Sequence, residues 1–203
     1  MVKKRRGAFI VLGIFLFFAG ISRLGAYYVE YKEQYYRLYH LHYIQYPDDT
    51  MENIHWLEMA LKADFANPLH AIALVENEVQ YEKYRYLFMM HLNLKMIEQY
   101  LFLGNKWNKR YAYFYNAPFK EQNLESLETA EICYRAALAY WKDAKEWAEK
   151  AQARRFRFII LERVQFWQDE AGRIERKELD YEKIINRELA NIQKTREAFE
   201  KMP

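Results

Sequence analysis

The chain has 203 residues, 31 Lys and Arg against 28 Asp and Glu, one cysteine, six glycines and four prolines. That length allows one domain with a real core or two small ones, and scarce Pro and Gly amid abundant Glu, Lys, Leu, Ala and Tyr predict an all-α protein. Cys133 alone excludes an intramolecular disulfide. Setting aside Lys3, Lys4, Arg5, Arg6 and Arg23 leaves 26 basic residues against 28 acidic ones, a near-neutral body that argues against nucleic acid as partner.

In chain order, Lys3, Lys4, Arg5 and Arg6 precede an uninterrupted apolar run over residues 8–22, and with Arg23 as the one interruption the apolar character extends to Val29. Counted that far, the segment reaches the roughly 20 residues that a span requires, with Arg23 placed to snorkel and Tyr27 and Tyr28 placed in an aromatic belt. The expected organisation is a basic cytoplasmic tail over 1–7, a transmembrane anchor over 8–29 and an extracytoplasmic helical domain over 30–203. The basic cluster puts the N-terminus inside and the body in the periplasm, as a single-pass protein of the inner membrane. A cleaved signal peptide is the competing reading, with Gly20 and Ser22 as the small residues before the cut. Both readings export the same body.

Tyr27, Tyr31, Tyr35, Tyr39 and Tyr43 recur every four residues. This predicts a tyrosine stripe on a helix continuing straight from the anchor and stopping before Pro47. The stripe serves either packing against the body or docking of another protein, with Tyr31, Tyr35 and Tyr39 as candidate contacts. Asp49 or Thr50 caps the next helix, whose inner face is Met51, Ile54, Leu57 and Leu61. After Asn67-Pro68 a periodic stretch runs to Leu103, with Tyr86, Met90, Leu94, Ile97 and Leu101 on one face, a possible kink at 77–80, and Gly104-Asn105 as the stop.

Residues 107–119 read WNKRYAYFYNAPF. Rings, two cations and a terminal proline predict a connecting loop or a short helix packed by its rings. Trp107, Lys109, Arg110, Tyr111, Tyr113 and Tyr115 are the candidate contact surface, since binding residues concentrate on structured loops. Asn123 is expected to cap a helix burying Leu127, Ala130, Tyr134, Leu138, Trp141, Ala144, Ala148 and Ala151. Phe156, Ile160, Val164 and Trp167 predict a further buried stripe, Gly172 a break or bend, and Asp180 the cap of a last helix with an apolar seam of Ile185, Leu189, Ile192 and Phe199. That seam is too short for a coiled coil and is expected to dock on the body.

No residue pattern carries catalytic chemistry. His40 and His42 point to different sides of a helix, His55, His70 and His91 stand apart, and no zinc-protease, paired-cysteine or phosphate-loop motif occurs. Cys133 reads as a buried inert thiol, and the carboxylates sit beside Lys and Arg on solvated faces. The expectation is no enzyme, no cofactor and no metal. An enzyme would need carboxylates or histidines from different helices to converge.

Trp141, Ala144, Ala148 and Ala151 at their spacing resemble the second helix of a tetratricopeptide repeat, and Ala60-Leu61-Lys62-Ala63-Asp64 resembles the end of one. The first-helix signature and the 34-residue period of such repeats are missing. The fold class expected is therefore all-α, a single N-terminal transmembrane helix followed by a helical-hairpin, repeat-like domain. The Lys3–Arg6 anchor start and the run over 67–110, NPLHAIALVENEVQYEKYRYLFMMHLNLKMIEQYLFLGNKWNKR, resemble in layout the spirochaete periplasmic flagellar-motor collar proteins. That resemblance implies a structural role in a ring around the motor, with other collar proteins as partners and no catalysis. The functional expectation is a non-enzymatic membrane-anchored scaffold or adaptor of a periplasmic assembly. The alternative is an exported binding protein for a small molecule, lipid or cell-wall fragment, with Trp107, Tyr111 and Tyr113 converging on a cleft.

Overall fold

A computed structural model describes residues 28–108 and 119–201. The chain divides into Met1–Glu30, of which 28–30 are described and carry no helix or strand, and Tyr31–Pro203. The second unit is all-helical among its described residues. It comprises α1 (Lys32–Gln45), α2 (Thr50–Lys62), α3 (Glu78–Trp107), α4 (Lys120–Ala151), α5 (Gln165–Glu175) and α6 (Tyr181–Glu200), with 3-10 turns at Pro68–His70, Arg154–Phe156 and Glu162–Val164.

The all-α class agrees with the sequence, but its membrane-spanning part requires correction. Among the described residues no helix is long and apolar enough to cross a membrane. The segment read as the anchor lies outside the described residues apart from 28–29, as do Lys3, Lys4, Arg5, Arg6 and Arg23. The helix expected over 27–46 is present as α1 and stops before Pro47, but it does not run on from residues 28–31. Tyr31 is extended, with φ −108° and ψ 153°, and α1 begins only at Lys32. The reason is local. Lys32 N–H donates to the Asp64 carbonyl at 2.8 Å, and the Gln34 side chain accepts from Tyr31 N–H at 3.0 Å, which starts the helix afresh.

The core is built on the antiparallel pair α3 and α4, 30 and 32 residues long, about 45–48 Å each at 1.5 Å per residue. Ala130, Ala137, Ala144, Ala148 and Ala151 are all buried on α4, so the two backbones approach closely, and Leu87, Met90, Leu94 and Ile97 fill the seam from α3. Gly104 lies inside α3 and does not stop it, because the buried ring of Tyr134 rests on it. α2 packs on α1 and α3, while α5 packs on α3 and α4, and α6 lies along α4, so the last helix docks on the body as its seam predicts. The α1–α2 hairpin has helices of 14 and 13 residues, so it does not repeat the α3–α4 unit.

Caps follow the sequence where they depend on one side chain. Asp49 accepts from Glu52 N–H and Asp180 from Lys183 N–H. Asn77 accepts from Gln80 N–H and opens α3 there, so the stretch before it is a turn and coil, not a kinked helix. Asn123 is buried within α4, which starts earlier, at Lys120. Gly172 likewise sits inside α5. The stripe expected over 156–167 fails at Ile160, which is exposed, because the chain takes two 3-10 turns where steps of four assume a helix.

Candidate functional site

The tyrosine stripe turns out to change environment along α1. Residues four apart drift by about 40° per step at 3.6 residues per turn, so the stripe winds from the body toward solvent. Tyr35 stacks on Trp56 at 6.4 Å, Tyr39 is 3 % exposed, and Tyr43, stacked on Tyr39 at 5.6 Å, is half out. Tyr31 precedes the helix and carries the bridge to Asp64. Of the expected contacts, Tyr35 and Tyr39 are therefore engaged in packing. Lys109, Arg110, Tyr111, Tyr113 and Tyr115 lie outside the described residues, and Trp107 is the exposed last residue of α3.

What solvent meets on α1 is a different set. Leu41 and Ile44, three residues apart on the outer face, are 58 % and 65 % exposed. Tyr46 continues the apolar surface, its ring 5.2 Å from His42, and Met51 is exposed on the first turn of α2. The C-terminal end of α3 joins this pole. Lys106 Nζ donates to the Asp48 carbonyl and to Thr50 Oγ1 at 3.0 Å, and lies 4.6 Å above the ring of exposed Phe102. The last turn of α1, with exposed Leu41, Tyr43, Ile44 and Tyr46, and the end of α3, with exposed Phe102 and Trp107, thus lie at the end of the body that Lys106 ties to the α1–α2 turn.

Beneath α1 runs a chain of buried polar contacts that the sequence did not reveal. Glu33 accepts from Ala66 N–H at 2.8 Å and from Tyr84 O–H at 3.0 Å. Lys32 Nζ donates to the carbonyls of Ala60 and Leu61, and burial lowers its pKa against the pull of Asp64 and Glu33. Further along, His91, 1 % exposed, is held between Tyr36 on α1 and Glu170 on α5 at 2.9 Å each. Its ring stacks on Trp167 at 4.9 Å.

A phenol, an imidazole and a carboxylate in line have the layout of a proton relay. Their electrostatics argue against one. Burial lowers the His91 pKa, opposed by Glu170 and reinforced by Lys95. A neutral ring that donates from Nδ1 to Glu170 and accepts at Nε2 from Tyr36 satisfies every polar atom. Burial first, then Glu170 and Glu98, push the Tyr36 phenol up to about 12, the wrong direction for a nucleophile or base at neutral pH. Such a set ties three helices together. Among the described residues no group of three His, Cys, Asp or Glu is placed to hold a metal, and burial raises the pKa of the Cys133 thiol.

A second surface feature is a groove of about 660 Å³ between the first half of α4 and the end of α6. Glu121, Glu125, Glu128, Ile132 and Arg135, spaced four, three, four and three, form its α4 wall, and Glu200 and Arg196 its α6 wall.

Residues 79–202 match the family described as Domain of unknown function (DUF8513). The chain belongs to that family. The DUF8513 segment begins at the second residue of α3 and runs through α6, so it contains the acidic groove and His91, while the α1–α2 turn lies before it. No curated protein and no solved structure matches the chain.

Proposed function

We propose that this protein is a non-enzymatic helical scaffold or adaptor that engages another protein through the apolar pole around the α1–α2 turn. The observation that carries the reading is the exposure of Leu41, Tyr43, Ile44 and Tyr46 at the end of α1 and of Phe102 and Trp107 at the end of α3, where Lys106 ties α3 to the α1–α2 turn. Singly scattered apolar residues are ordinary on any surface; a gathered set rich in Tyr and Trp is what protein interfaces use. Rigid elements present it, since Lys106 ties α3 to the turn and the His42 ring bonds Asn53 at 3.0 Å.

The pole lies mainly before the DUF8513 segment, which supports an arrangement in which α3–α6 is a shared body and α1–α2 supplies this chain's own contact. The basic and apolar N-terminal sequence supports export of that body to the periplasm, and the resemblance of the sequence to flagellar-motor collar proteins makes the motor the first assembly to search. The reading is tested by replacing Leu41 and Ile44 with Asp in the full chain and comparing partner recovery from crosslinked cells. Retained helicity with loss of the same recovered proteins supports it. Unchanged recovery overturns it.

A further inference from the structure

The segment after α4 is basic and apolar at once. Arg154, Arg155, Arg157 and Arg163 are exposed, and between them Phe158 and Ile160 are 90 % and 69 % exposed. The fold holds these side chains out. Lys83 Nζ, buried on α3, donates to the carbonyls of Phe156 and Ile159 at 3.2 and 2.7 Å, and Phe156 is buried as the loop's anchor. The loop is therefore a braced projection. Acids beside it are few: Glu82 on α3 pairs with Arg155 and Glu162 lies in the loop, so four guanidiniums stand against two carboxylates.

The groove between α4 and α6 has the opposite character. Five carboxylates line it against two guanidiniums, and both guanidiniums already bond one of the five, Glu131. Glu121, Glu125 and Glu128 face solvent, with Leu124 and exposed Ile132 as the apolar part of the wall. Lys120 closes one end by bonding the Glu200 carbonyl. The groove thus offers acid around an apolar strip, and the loop offers Arg around two apolar side chains.

These two surfaces cannot meet within one chain. Glu128 and the end of α4 at Ala151 are 23 helical residues apart, about 35 Å at 1.5 Å per residue, and the Lys83 clamp keeps the loop at the far end. We propose that the chain associates with itself head to tail, the 154–163 loop of one copy inserting Phe158 into the α4–α6 groove of the next. A contact between two different patches is heterologous, so it propagates into a ring or an open filament. Its polar part is carried by exposed ion pairs, so the association is of the weak, salt-sensitive kind. This inference goes beyond the adaptor reading and uses other surfaces, so each can fail without the other.

The test is sedimentation velocity of the full chain in mild detergent over a range of concentration and salt. Two variants are compared with the wild type, one carrying Arg154→Glu and Arg157→Glu, the other Glu125→Arg and Glu128→Arg. All four positions are exposed, and circular dichroism checks that each variant stays folded. The expected result is wild-type mass rising with concentration, with association at least about tenfold weaker at 0.5 M salt than at 0.05 M. Each variant alone is monomeric. An equimolar mixture of the two associates again, because the intact loop of one meets the intact groove of the other and the reversed loop meets a groove reversed in the same way. A wild type that stays monomeric overturns the proposal, as does association that either variant leaves unchanged. Arginine-dependent binding of the loop to phosphatidylglycerol vesicles without self-association also overturns it and assigns the loop to lipid. The Leu41 and Ile44 variant leaves self-association intact, which separates this outcome from failure of the adaptor reading.

Discussion

Replacing Gly104 with Ala should destabilise the protein, although Ala is the better helix former. Gly104 lies inside α3, and a Cβ built there falls 2.5 Å from Tyr134 Cε1, 2.9 Å from Cδ1 and 3.0 Å from Cζ. The ring cannot swing aside cheaply. Tyr134 is fully buried, and its hydroxyl donates to Asn105 Oδ1 at 2.7 Å and accepts from Asn108 Nδ2 at 3.4 Å. Helix propensity favours Ala by about 1 kcal/mol, while overpacking a buried site costs about 1–3 kcal/mol. The net expectation is a loss of up to about 2 kcal/mol, read as a lower midpoint in urea denaturation at unchanged slope. The cause is isolated by repeating the change in a Tyr134→Leu background. With the ring gone, Gly104→Ala should turn neutral or stabilising by up to about 1 kcal/mol, so the cycle yields a coupling energy of about 1–3 kcal/mol. The same destabilisation in both backgrounds would refute the packing argument, and stabilisation in the wild-type background would refute it outright.

Two further predictions concern the buried polar contacts. Glu33→Ala strands Ala66 N–H and Tyr84 O–H without their shared acceptor, so unfolding free energy should drop by about 2–4 kcal/mol, with amide exchange rising first at Ala66. His91, flanked by Tyr36, Glu170, Lys95 and Glu98, has a folded pKa lowered from 6.5. Below that value the unfolded chain binds the proton more readily, so stability should decline as pH falls from about 6.5 toward 5. His91→Gln keeps a donor toward Glu170 and an acceptor for Tyr36 but removes the titration, and should flatten that acid limb of the pH–stability curve.

The long faces of α3 and α4 were legible because burial follows a 3.6-residue period over many turns, and Met90, Leu94, Ile97, Leu127, Ala130 and Tyr134 all lie where that period puts them. Asp49 and Asp180 were legible because a cap needs one side chain and a neighbouring N–H. Gly104 and Gly172 were not, since reading glycine as a stop weighs local propensity alone, and at Gly104 the ring of Tyr134 decides what fits. Ile160 misled because counting in fours assumes the helix whose existence was in question. His91 gave no signal, as its partners lie 55 and 79 residues away in sequence. The tyrosine repeat was half legible. It marks a real stripe on α1, but the drift of a four-residue period carries Tyr35 and Tyr39 inward and leaves Leu41 and Ile44, outside the repeat, facing solvent.

The adaptor reading is tested most directly by site-specific photocrosslinking in living cells, with the photoreactive residue at Ile44 on the apolar pole and, for comparison, at His55 on the exposed side of α2. The account predicts one or a few reproducible protein adducts from Ile44, absent from His55 and lost when Leu41 is changed to Asp. Adducts of equal yield from both positions, or none from Ile44, would contradict it.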